Sequence, residues 1–88
     1  MTVLIVDDDR DIVESIAIFL SAEGYRVLKA YNGLEALEIL ADNQTHLMIL
    51  DIMMPQMDGI KTLMKLRESR NIPVILLSAK SEDADKIL

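Results

Sequence analysis

The chain has no cysteine and no tryptophan, and of its 88 residues only three are glycine and two are proline. Without cysteine there is no disulfide framework and no thiolate metal site. Aromatic residues make up 3% of the sequence, so aliphatic side chains must fill its core. No apolar run approaches the ~20 residues of a membrane span. The amino terminus, Met1-Thr2-Val3-Leu4-Ile5-Val6, has no basic flank and runs straight into Asp7, which does not fit a secretory signal. The expectation is a cytoplasmic chain that makes no membrane contact. Bases are also scarce: 9 Lys and Arg against 15 Asp and Glu leave a net charge of −6. A segment of that sign does not grip a nucleic-acid backbone by itself, but it suits a cation site or a basic partner.

What is present is a globular composition, 51% hydrophobic and 27% charged. The length allows one domain with one modest core. Three short runs, Val3–Val6, Leu47–Leu50 and Val74–Leu77, are continuously apolar. Such runs fit strands buried on both faces of a parallel sheet covered by helices. A fourth, Tyr25-Arg26-Val27-Leu28-Lys29-Ala30, carries two charges and reads as an edge strand.

Helical periods fill the gaps. Ile12, Val13, Ile16, Ala17 and Leu20 form one apolar face, with Asp9 as cap and Gly24 as stop. Asn32 with Glu35 three residues on is a variant capping box, opening a helix whose expected inner face is Leu34, Leu37 and Leu40/Ala41. A third helix opens near Asp58-Gly59, with Ile60, Leu63, Met64 and Arg67 on one side; a fourth is expected after Ser81. Alternation of this kind implies right-handed βαβ crossovers and an open α/β sheet.

In such sheets ligands bind outside the carboxyl ends of the strands. The residues there are Asp7, Asp8 and Asp9 after the first run, Asp51 after Leu50, and Ser78 after Leu77. Carboxylates brought together repel unless a cation cancels the charge. Mg2+, a hard ion that takes oxygen ligands and keeps several waters, suits the set. A carboxylate beside it can attack a phosphoryl group and form an acyl phosphate, to which Ser78 could donate a hydrogen bond. Asp9 and Asp11 read differently, as first-turn acids that favour the helix dipole. His46 reads as a surface residue.

Val3-Leu4-Ile5-Val6-Asp7-Asp8-Asp9, then Leu50-Asp51-Ile52-Met53-Met54-Pro55-Gln56-Met57-Asp58-Gly59, then Pro73-Val74-Ile75-Leu76-Leu77-Ser78-Ala79, resembles the receiver domain of bacterial two-component response regulators. The resemblance runs through the whole chain in order. It implies a flavodoxin-like open parallel sheet of order 2-1-3-4(-5). It implies that Asp51 is the phosphoacceptor, that Ser78 is the switch hydroxyl, and that Ala79 keeps the phosphate accessible. It further implies a Mg2+ site of Asp7, Asp8, Asp51 and the Met53 backbone carbonyl, with Asp8 binding directly and Asp7 holding a metal-bound water. The implied partner is a sensor histidine kinase, and the implied output is transcriptional. A receiver catalyses its own phosphorylation and is not a conventional enzyme.

Set beside that family, residues 1–88 read as an incomplete receiver. The fifth strand, the fifth helix and most of the fourth helix have no counterpart, and neither does the family's lysine; Lys80 and Lys86 do not match it by position. An uncovered Val74–Leu77 edge is then expected to pair with another chain. Two other readings stay open. One is an interaction module that keeps the acids but is not phosphorylated. The other is a haloacid-dehalogenase-like phosphatase, with Asp7 as nucleophile and Asp9 as acid/base, which Asp7-Asp8-Asp9-Arg10-Asp11 fits only loosely and which leaves Asp51 without a role.

Overall fold

A run of five residues with no charge and four β-branched side chains, Thr2-Val3-Leu4-Ile5-Val6, forms a strand buried along its whole length. This strand, β1 (Thr2–Val6), lies at the centre of the molecule. The computed structural model describes residues 1–52, 59–68 and 71–77. The elements follow in the order β1, α1 (Arg10–Ala22), β2 (Arg26–Ala30), α2 (Gly33–Asp42), β3 (Leu47–Asp51), α3 (Gly59–Arg67) and β4 (Val74–Leu77). All strand pairs are parallel and the sheet order is β2-β1-β3-β4. This is the flavodoxin-like arrangement expected of the described strands. The region after Ser81, where a fourth helix is expected, lies outside the described residues.

Successive side chains of a strand face opposite sides, and the core divides accordingly. Leu4 and Val6 join Ala36, Leu40, Met48, Leu50 and Leu66 on the side of α2 and α3. Val3 and Ile5 join Val13 and Ala17 on the side of α1. The helix ends follow their sequence signals. Asp9 caps α1 by accepting from the backbone N–H groups of Asp11 (3.0 Å) and Ile12 (3.3 Å). Its other end closes where Gly24, at φ +95°, and Tyr25 donate to the carbonyls of Ser21 and Leu20. Asn32 caps α2 through the Glu35 N–H, while Glu35 reaches back to the N–H of Tyr31 at 2.7 Å.

Two expected helix faces are corrected. On α2 the buried positions are Gly33, Ala36 and Leu40, with Leu37 packed beside them; Leu34 and Ala41 are exposed. On α3 the buried positions are Gly59, Thr62 and Leu66, with Leu63 packed against the core; Ile60, Met64 and Arg67 face out. Close approach to the sheet selects small side chains, so bulk and hydropathy misidentify the inner face.

The sheet ends differ. Edge strand β2 exposes Arg26 and Lys29, and Lys29 is held by Glu14 of α1 at 2.9 Å. That hydrogen bond raises the lysine's pKa above its ordinary value. At the other end β4 is not buried on both faces: Ile75 and Leu76 remain nearly half exposed.

Only a glycine fits where α3 begins. The Gly59 N–H donates to the Ile52 carbonyl at 3.2 Å. A Cβ at this position would overlap the Ile52 Cα and the Asp51 carbonyl oxygen and would lie 2.9 Å from the Asp51 carbonyl carbon. All three are backbone atoms, which cannot swing aside. Gly59→Ala is therefore expected to cost about 1–3 kcal/mol, read as a lower urea midpoint with an unchanged m-value.

Candidate functional site

The carboxyl ends of the two central strands carry the site. In the β1–β3 register Val6 stands opposite Leu50. The next residues, Asp7 and Asp51, therefore leave the sheet side by side. The Asp7 N–H extends the ladder to β2 by donating to the Ala30 carbonyl at 3.2 Å. Asp51 is the last residue of β3, and the following Ile52 N–H donates to the Leu77 carbonyl of β4 at 3.1 Å. Both strand-end acids have backbones fixed by neighbouring strands.

Their side chains are almost wholly enclosed, at 1% exposure each. Asp8 is exposed. One carboxylate oxygen from each of Asp7, Asp8 and Asp51 lies within 4.8 Å of the others. The carboxylate of Asp7 is further oriented by the N–H of Asp9, which donates to Asp7 Oδ1 at 2.9 Å. The site is thus two enclosed acids and one facing solvent. That donor set is all oxygen, with an open side where waters can stay, and it fits a hard divalent cation.

The other acids of the opening segment do different work. Asp9 Oδ1 is engaged in capping α1, and Asp11 is the exposed acid of the first turn. His46 is exposed, as expected, and stands at the opposite end of the sheet. There its Nδ1 accepts from the Thr2 N–H at 3.0 Å and its own N–H donates to the Thr2 carbonyl at 2.9 Å. Met53, Ser78 and Ala79 lie outside the described residues.

Two features escape a reading by spacing. Gly59 is pressed against the Asp51 backbone; the Asp-Gly pair suggested a helix start, not this contact. The Arg10 guanidinium lies 3.9 Å from the centroid of the Tyr31 ring, a contact across 21 residues that no local pattern announces.

A family model for the response regulator receiver domain matches residues 3–88. Response regulator GtcR of Aneurinibacillus migulanus is 44% identical over 87 residues, which span 99% of this chain and 36% of the relative. The transcriptional regulatory protein CpxR homolog of Haemophilus influenzae is 45% identical over 85 residues, 97% of this chain and 37% of the relative. The chain therefore spans little more than a third of the length of these curated relatives. Among solved structures, response regulator TrrA of Thermotoga maritima in complex with Mg(2+)-BeF superposes with a TM-score of 0.84 at 34% identity, covering 98% of this chain and 76% of TrrA. TrrA has also been solved in complex with the histidine kinase ThkA; that chain superposes with a TM-score of 0.83 at 36% identity, covering 92% of this chain and 71% of the other.

Three carboxylates this close repel one another. Asp51→Asn keeps the shape and removes one charge. In EDTA it is expected to raise unfolding stability by on the order of 1 kcal/mol, measured by urea denaturation beside the parent chain.

Proposed function

This chain belongs to the response regulator receiver domain family, and from that premise we propose that it is a phosphoryl-accepting signalling switch with Asp51 as acceptor. The observation that carries the reading is the enclosed Asp51 carboxylate at the tip of β3, gathered with Asp7 and Asp8 within 4.8 Å. An Asp51 oxygen attacks phosphorus, forming an O–P bond. The bond from phosphorus to the donor's leaving atom breaks, and the leaving group departs with that electron pair. The product is an aspartyl phosphate, with no change of oxidation state.

Mg2+ fits the donor set. Asp8 and Asp51 would hold it directly, Asp7 through a metal-bound water, and the Met53 carbonyl as a further ligand. Bound there, it supplies the positive charge that lets an anionic donor approach three carboxylates. The Asp9 N–H fixes the orientation of Asp7, and the close backbone contact of Gly59 fixes the start of α3 beside Asp51. Ser78 is assigned as the hydroxyl that meets the transferred group, and Ala79 as the small residue that leaves it room.

The phosphodonor partner is a sensor histidine kinase, in keeping with TrrA and its kinase complex. The output is transcriptional, in keeping with the CpxR homolog, and lies outside this segment, whose net charge of −6 disfavours direct DNA contact. Among the described residues no helix is long and apolar enough to cross a membrane, and the working location is the cytoplasm. A phosphatase using Asp7 as nucleophile and Asp9 as acid/base is disfavoured, because Asp7 Oδ1 and Asp9 Oδ1 are both engaged by backbone N–H groups.

A specific observation favours one additional property of the 88-residue chain. Among the described residues strand β4 is the last of the sheet, with Ile75 and Leu76 nearly half exposed and no charge in Val74–Leu77, so pairing with a second copy through that strand is expected. Sedimentation equilibrium should show dimers that dissociate in Leu76→Lys; a monomeric parent at high concentration excludes the pairing.

The test of the function is intact mass after incubation with Mg2+ and acetyl phosphate. The parent should gain one phosphoryl mass and Asp51→Asn none. Gain in Asp51→Asn that disappears in Asp7→Asn would select the phosphatase chemistry. No gain in the parent would leave an interaction module.

A further inference from the structure

Among the described residues the rim that holds the acids also holds one arginine, and the ring under it is placed by the same strand register. Arg10 is the first residue of α1, two residues beyond Asp8. Two peptide units keep the Cα atoms of Asp8 and Arg10 within about 7.6 Å. Tyr31 follows Ala30, which pairs with Val6 in the β1–β2 register and whose carbonyl accepts from the Asp7 N–H. The ring is half-buried against the α1 side of the core, and its backbone N–H is held by Glu35. The exposed Arg10 guanidinium lies on that ring, 3.9 Å from its centroid. Stacking occupies the face of a guanidinium and leaves its in-plane N–H donors for an oxyanion.

The need for such a cation follows from the charges. The pocket gathers three carboxylates in a molecule of net charge −6. A dianionic phosphodonor approaching it is repelled by both. A fixed positive charge on the rim beside the entrance offsets that repulsion, the more so at low ionic strength. We infer that Arg10, held on Tyr31, is the cation that recruits dianionic small-molecule phosphodonors to the Asp51 pocket, with Tyr31 as its positioning residue. The inference rests on the function proposed above and adds to it a determinant of donor class. The covalent step is unchanged: with acetyl phosphate the new bond is Asp51 O–P, the P–O bond to the acetyl group breaks, and acetate leaves with the electron pair.

This role makes an unusual demand on a substitution. Removing a cation near the acids slows reaction with a dianion, yet it cannot weaken Mg2+ binding electrostatically and tends to tighten it. Lost structure would weaken both. The experiment compares the parent with Arg10→Ala, Arg10→Lys and Tyr31→Ala. Phosphorylation rates are read by intact mass at donor concentrations far below saturation, and Mg2+ alone is titrated in parallel. Arg10→Ala should lower the second-order rate constant for acetyl phosphate about three- to tenfold at low ionic strength, with the gap closing at high salt. The loss should be smaller for phosphoramidate, a monoanion at neutral pH, and Mg2+ affinity should be equal or higher. Arg10→Lys should recover most of the rate, and Tyr31→Ala should fall between. Equal rates in the parent and Arg10→Ala overturn the inference while leaving Asp51 as acceptor. Equal losses with both donors, together with weakened Mg2+ binding, also overturn it, since they mark structural damage. A parent that gains no phosphoryl mass removes the proposed function, and this inference with it.

Discussion

The hydrogen-bonded register between β1 and β3 is the constraint on which the site depends. Val6 opposite Leu50 makes Asp7 and Asp51 neighbours at one rim. A slip of one residue would turn every side chain of β1 to the other face. Leu4 and Val6 would then point at α1, and Val3 and Ile5 at α2 and α3, so the two halves of the core would no longer match their helices. The burial that stabilises the sheet therefore also places the carboxylates. A change that loosens the core would be read at the site as a displaced acid before it was read as unfolding.

The same rim is where the fold works against itself. Enclosed acids gathered within 4.8 Å are a local cost that the rest of the molecule offsets. The surroundings show how the cost is contained. Backbone N–H groups serve Asp7 and Asp9 in series, so that one acid is oriented by the loop and the next starts a helix. Gly59 brings the next helix down onto the Asp51 backbone without a side chain between them. The tension left over is what a cation or a transferred phosphoryl group can act on, which gives a small domain a lever on its own surface.

Much of this was legible in the residues, and what was not has identifiable causes. The strands and the caps at Asp9, Asn32 and Gly24 were legible because each rests on a local rule: an uncharged run, an acceptor side chain, or a residue free to take φ +95°. The acids of the site were legible because parallel topology sends every strand end to one rim. The inner faces of α2 and α3 were not. Both helices carry large apolar residues outside the core, Leu34 on one and Ile60 and Met64 on the other. Beside Leu40, which was expected, and Leu66, the buried positions belong to Gly33, Ala36, Gly59 and Thr62. Hydropathy ranks side chains by size and polarity, whereas a helix lying close on a sheet selects for fit. The contact of Arg10 with Tyr31 was illegible for another reason: it joins residues from two separate βα units, and only the assembled sheet brings them together.

The histidine at the far end of the sheet is tied to the strand backbone and stands apart from the acidic rim. Because Nδ1 of His46 accepts from the Thr2 amide, its lone pair is occupied and a neutral ring must carry its proton on Nε2. The tautomer is dictated by the backbone. The imidazole thus ties the Thr2 backbone at the start of β1 to the residue before β3. Oxygen ligands gather at one rim and the one imidazole is bound to backbone at the other, so the two ends of the β-sheet are chemically unequal.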